Sequence, residues 1–193
     1  MISGIAEVGH NGHVEQPMND FARDGTLSTR NSGKDALAAL QRAIVAQPPN
    51  APIVLSFTGV QDITAAFADE CIARLLSGRA AGFYEDHPVL AVDANSDVRE
   101  GLSSALRNRG LVLLSLSGDG PELLGAPEHL DETMRVAHEL GEFSVVDLAK
   151  RLELTTPAAN NRVKQLLRAG ALSRARVIPR RGGNEYRYTA PSG

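Results

Sequence analysis

Tryptophan is missing from the chain, and phenylalanine and tyrosine together supply only 4% of its 193 residues. That scarcity argues against the flat aromatic platform on which single-stranded nucleic-acid binders stack bases. It also means that any core rests on Leu, Val, Ile and Ala. The lone cysteine, Cys71, cannot close an internal disulfide and cannot by itself build a metal site, which fits a reducing compartment. No apolar run approaches the roughly 18 residues that span a bilayer. The opening "MISGIAEVGHNGHVEQ" has neither a basic n-region nor an apolar h-region. The expectation is a cytoplasmic protein with no membrane partner.

Catalytic signatures are equally scarce. Asp62, Asp69, Glu70 and His87 are acid/base types, yet their spacing does not force a nucleophile, a base and an orienting group together. Asp69 and Glu70 fall where a solvated helix face is expected. His10 and His13 have no Cys or further His nearby to complete a metal site. The glycines of "SGDGPELLG" lack the Gly-Lys-Ser/Thr of a phosphate loop. The reading is therefore a non-enzyme with no catalytic residues, no metal and no cofactor.

What is present is an uneven charge. The formal net charge is -3, but residues 1–127 hold nine Lys/Arg against fifteen Asp/Glu, whereas residues 143–193 hold ten against three. A basic final third behind an acidic first part suggests separate modules, the second facing a polyanion.

The hydrophobic pattern divides the chain in the same way. Residues 1–20 show no sustained period and read as a flexible arm or an edge strand. From 21 to 116 strands alternate with helices. "FARDGTLST" turns at Gly25, and "GKDALAALQRAIVAQ" is a helix capped by Ser32 with Leu37, Leu40 and Ile44 inward. "APIVLSFTGV" is a central strand, and "ITAAFADECIARLLSG" is a helix with Phe67, Cys71 and Leu75 on one stripe. "HPVLAVDA" is a second strand, "SDVREGLSSALRNRG" a helix capped by Ser96, and "LVLLSL" a last strand. Alternation of this kind implies a layered α/β unit. Residues 117–128, rich in Gly, Pro and acid, read as a linker.

From 129 to 190 the order is three helices and a hairpin. "HLDETMRVAHELG" ends at Gly141, "SVVDLAKRLEL" is capped by Ser144, and "TPAANNRVKQLLRAG" is capped by Thr156 with Pro157 in its first turn and Gly170 as its stop. "ALSRARVI" and "EYRYT" are strand-like around "PRRGGN". The stretch "SVVDLAKRLELTTPAANNRVKQLLRAGAL" followed by a basic hairpin resembles a winged helix-turn-helix. The resemblance implies an α+β fold that binds duplex DNA and commonly acts as a homodimer. A helix entering a major groove about 12 Å wide needs polar side chains at its opening and apolar ones only on its packing face. Ala159, Val163, Leu166 and Leu167 form that packing face. Thr156, Asn160, Asn161, Arg162, Lys164, Gln165 and Arg168 are then the candidate DNA-binding residues, with Asn160, Asn161 and Arg162 toward bases and Lys164 and Arg168 toward phosphate. Arg176, Arg180 and Arg181 of the hairpin complete the set, the last two held outward at a Gly182-Gly183 tip.

The first part has a resemblance of its own. "STRNSGKDALAAL" followed by "IVLSFTGVQDITAAFADECIARL" resembles a STAS-like domain, the fold of anti-sigma-factor antagonists, over residues 21–116. In those antagonists a Ser at the strand-to-helix turn is phosphorylated to release a partner. The corresponding pair here is Thr64-Ala65; alanine has no hydroxyl, so Thr64 is the candidate phosphorylation site, at a helix N-terminus suited to phosphate. Together the resemblances imply a transcriptional regulator that reads DNA with its C-terminal part and binds a protein partner or itself with its N-terminal part. The alternative is a partner-switching adaptor whose two parts both bind protein.

Overall fold

The structure, a computed structural model, describes residues 7–8, 14–48, 51–84, 87–117, 120–177 and 185–190. Strands β1 (Glu7–Val8) and β2 (Val14–Pro17) lead through a 3-10 turn (Met18–Phe21) to β3 (Thr26–Leu27) and α1 (Arg30–Val45). There follow β4 (Ile53–Ser56), β5 (Asp62–Ile63), α2 (Ala65–Ala68), a π turn (Asp69–Ala73) and α3 (Arg74–Ala80). Then come β6 (Val89–Val92), α4 (Ser96–Arg107), β7 (Leu113–Ser117) and β8 (Gly120–Leu124). The rest is α5 (Glu128–Leu140), β9 (Glu142–Phe143), α6 (Val145–Arg151), α7 (Thr156–Ala169), β10 (Ser173–Val177) and β11 (Glu185–Thr189). The fold is mixed α/β.

One sheet runs β1-β2-β4-β6-β7-β8. Its four inner strands are parallel, because helices carry the chain back between them, and its two edges are antiparallel hairpin partners. Side chains alternate across such a sheet, so each strand feeds both faces. Val89, Ala91, Leu113 and Leu124 join α1, the α2–α3 segment and α4 in a first core. Leu90, Leu114 and Leu123 point the other way and join Leu130, Met134, Leu148, Val163 and Leu166 in a second.

That second core changes the reading of residues 117–128. They are not a linker: Gly120–Leu124 is strand β8, paired antiparallel with β7 from Ser117↔Gly120 to Leu113↔Leu124. Its Gly and Pro content masks the strand. Gly120 (φ +106) and Gly125 (φ +80) bracket it in conformations that suit glycine, and Pro121 lies on an edge strand, where a missing donor is tolerated. β2 is likewise no loose arm, since it lies inside the sheet, parallel to β4. Its alternation is hidden by Gln16, a polar residue 1% exposed at an inward position.

Three helix caps shift by one to three residues from expectation. Thr29 rather than Ser32 caps α1, Asn95 rather than Ser96 caps α4, and Thr155 rather than Thr156 caps α7, each accepting from the backbone N–H three residues on. Ser144 caps α6 as expected, in a reciprocal box with Asp147. Phe67, Cys71 and Leu75 are all fully buried. Glu70, expected on a solvated face, is 4% exposed. The π turn inserts an extra residue per turn and swings this carboxylate inward between Arg30 (3.0 Å) and Arg74 (3.2 Å), so the buried charge is paired.

Burial pushes the Cys71 thiol up to about 12, because a thiolate there would lack solvation. At pH 8 in the native protein Cys71 should therefore be inert to a disulfide reagent such as DTNB and should react stoichiometrically once guanidinium unfolds the chain; prompt native labelling would contradict the packing. At Gly125 a Cβ would stand 2.6 Å from the Leu111 carbonyl oxygen and 2.7 Å from Leu106 Cβ. Gly125→Ala is expected to cost on the order of 2–4 kcal/mol, read as a lower urea midpoint.

Candidate nucleic-acid interface

The basic C-terminal part is organised by its own short sheet, β10-β11-β9, in which β10 and β11 pair from Ser173↔Thr189 to Val177↔Glu185. Tyr188 is buried and stacks on Phe143 at 5.9 Å, fixing the hairpin to the start of α6. α6 closes with Leu154 N donating to the Ala149 carbonyl across Glu153, whose φ of +53 reverses the chain in a Schellman-type turn. Thr155 then caps α7 and Gly170 (φ +72) ends it. The result is a helix, a tight turn and a second helix whose Val163 and Leu166 join the α5 residues Leu130 and Met134 in one core, with Ala159 buried on the same face.

The structure separates the sequence-derived candidates into groups. Thr156, Asn161 and Lys164 are exposed, and Asn160 is half-buried beside them, along the outer side of the first turns of α7. The Thr156 hydroxyl is left out of the cap, which uses Thr155. Arg162 faces the other way. Its guanidinium, 20% exposed, donates through Nη1 to the His129 carbonyl and to Thr133 Oγ1, both at 3.0 Å. Thr133 is wholly buried and donates to the same carbonyl at 2.7 Å, so Arg162 is committed to joining α7 to α5. Gln165 and Arg168 are exposed but line a cavity against α3, away from the opening of the helix.

On the hairpin, every residue of β10 is exposed. Arg174 and Arg176 share one side of it, two residues apart, opposite Tyr188 and Tyr186. Arg174 lies over the Tyr186 ring at 4.8 Å, a cation–π contact that holds the guanidinium in place. Arg174 is absent from the sequence-derived set, although strand alternation puts it on the same side as Arg176. Arg180 and Arg181 lie outside the described residues, as do His10 and His13.

The remaining candidates have local work. Thr64 caps α2, accepting from Phe67 N while its hydroxyl donates to the Ser28 carbonyl at 2.8 Å. Asp69 forms a two-pronged pair with Arg109 at 2.6 and 2.8 Å, His87 Nδ1 lies 2.9 Å from the Ala51 carbonyl, and Asp62 accepts from Ile63 N at 2.7 Å. Among the described residues no group of three or more His, Cys, Asp or Glu is placed to share a metal ion, and no helix is long and apolar enough to cross a membrane. Comparison with known proteins finds no matching family model, no similar curated protein and no similar solved structure.

The Asp147 carboxylate is held below its ordinary pKa, first by the Ser144 backbone N–H, then by the Ser144 hydroxyl and by Arg187 at 3.6 Å. A lowered folded-state pKa contributes stability above the unfolded value and loses it as pH falls through the folded one. Asp147→Asn should accordingly destabilise the protein at pH 7, and the difference from the parent chain should vanish in strong acid. Thermal unfolding followed from pH 7 to pH 2 would check this, and a difference independent of pH would refute it.

Proposed function

We propose that the chain is a cytoplasmic, DNA-binding transcriptional regulator. Residues 129–190 form a winged helix-turn-helix, and residues 21–116 form a STAS-like unit that binds a protein partner or a second copy of the chain. The observation that carries this reading is the exposure of Thr156, Asn161 and Lys164 on α7, with Asn160 half-buried beside them, and of the β10 arginines Arg174 and Arg176, within residues 143–193, which hold ten basic residues against three acidic ones. A helix that presents asparagine at its first turns can hydrogen-bond adenine edges in a major groove. Lysine and a basic strand beside it contact phosphate and set register without reading sequence.

The placement of Arg162 narrows the base-reading candidates to Asn160 and Asn161, since an arginine already bonded across to α5 would have to leave those partners to reach a base. The adaptor reading draws less support. A phosphate on Thr64 would have to break the hydroxyl's bonds to Ser28 and Leu27, and Ala65 offers no alternative acceptor.

Duplex binding titrated at two or more salt concentrations tests the proposal. The parent chain should show a steep log–log salt dependence. Lys164→Ala should weaken all sequences alike and reduce the slope by about 1, while Asn161→Ala should cost about 1–3 kcal/mol on a preferred site and relax the preference. A flat salt response with unchanged variants would favour the adaptor.

A further inference from the structure

Where α3, α5 and α7 meet, the structure forms a solvent-open cavity of about 340 Å³. Its wall is mostly apolar: Leu76 and Leu130 are 5% and 2% exposed, and Leu111, Val112, Pro127 and Ala169 complete it. Three residues with long polar side chains line it, Arg79, Gln165 and Arg168, and no acidic residue does. In a chain with a formal charge of -3 this is a local excess of positive charge. Arg79 is held in place, its Nε donating to the His87 carbonyl at 3.1 Å and its Nη1 to the Arg168 carbonyl. The Arg168 guanidinium has no hydrogen bond or ion pair among the described residues and so keeps its donors for another group.

An apolar hollow of this size with a few convergent polar groups, located where two packed units meet, has the form of a small-molecule site. The absence of acids and the unspent arginine select the sign of the head group. A larger polar groove of about 480 Å³ between α4, β8 and α5 lacks that selectivity, because its two arginines face three carboxylates. We propose that the α3–α5–α7 cavity binds a small amphipathic carboxylate, its apolar body against Leu76, Leu111 and Leu130 and its carboxylate on Arg168 and Gln165. Paired charge-assisted hydrogen bonds from a guanidinium suit a carboxylate well. α7 is one wall of the cavity through Gln165, Arg168 and Ala169 near its end, and the same helix carries the candidate DNA-reading residues at its other end.

The test is calorimetric titration of the full chain, without DNA, using octanoate and phenylacetate, with 1-octanol as a body without a charged head and acetate as a head without a body. Octanoate or phenylacetate should bind at least about tenfold more tightly than either control, the ratio expected for a hydrogen bond to a charged group. Ala80→Phe, at an exposed position of α3 on the cavity lining, should abolish binding without threatening the core. Arg168→Gln should reduce octanoate to the level of octanol. Failure of both carboxylates to bind, binding that survives Ala80→Phe, or an octanoate preference that survives Arg168→Gln would each overturn the proposal. Because binding is read in the absence of DNA, a failed DNA titration leaves this site standing, and the reverse is equally true.

Discussion

Everything in this chain hangs on one sheet being buried from both sides. Val89 and Leu90, Leu113 and Leu114, and Leu123 and Leu124 are sequence neighbours that point to opposite faces and enter different cores. Burying a leucine fully is worth about 1.5–3 kcal/mol, so Leu90, Leu114 and Leu123 anchor the second core to the sheet with several times the strength of any exposed ion pair. Arg151 and Glu139, both more than half exposed at 3.4 Å, illustrate the weaker kind of contact. The C-terminal helices thus take their seat from strands that also close the first core.

Polar contacts then orient what burial has brought together. Asp131 accepts from Leu123 N at 2.9 Å, satisfying a donor on the sheet's outer edge strand and setting α5 against β8. Arg162 ties α7 to the same helix, and Arg79 reaches the Arg168 carbonyl in the last turn of α7 from α3. α7 is therefore held at its middle by one arginine and at its end by another, which leaves its first turns projecting. A rigid seat with a free polar opening is what a reading helix requires. The cavity lies beside the second of these restraints, with Arg79 and Arg168 both in its lining.

The periodic signals in the sequence were informative. The amphipathic spacing of Leu40 and Ile44, of Phe67, Cys71 and Leu75, and of Ala159, Val163 and Leu166 placed each of these residues inside a core. Ser144 and Gly170 marked helix ends correctly. Competing caps were harder, because Thr155 and Thr156, or Asn95 and Ser96, offer equivalent side chains and the choice depends on where the backbone first turns helical. β8 and β2 were illegible for a different reason. Pro121 and two bracketing glycines imitate a linker, and Gln16 interrupts an alternation; pairing with neighbouring strands outweighs these local preferences.

Sequence alone determined the alternation of the main strands and helices between residues 30 and 117, the helix–turn–helix–hairpin order near the end, and the concentration of positive charge there, because periodicity, capping chemistry and charge are local properties of a chain. Only the tertiary structure decided that the two cores lie on opposite faces of one sheet, that Glu70 is buried, that Arg162 turns inward while Asn161 and Lys164 stay out, and that an acid-free cavity opens beside the end of α7. Each of these depends on which surfaces meet across distant segments, and a side chain's partners there are chosen by packing and not by its neighbours in sequence.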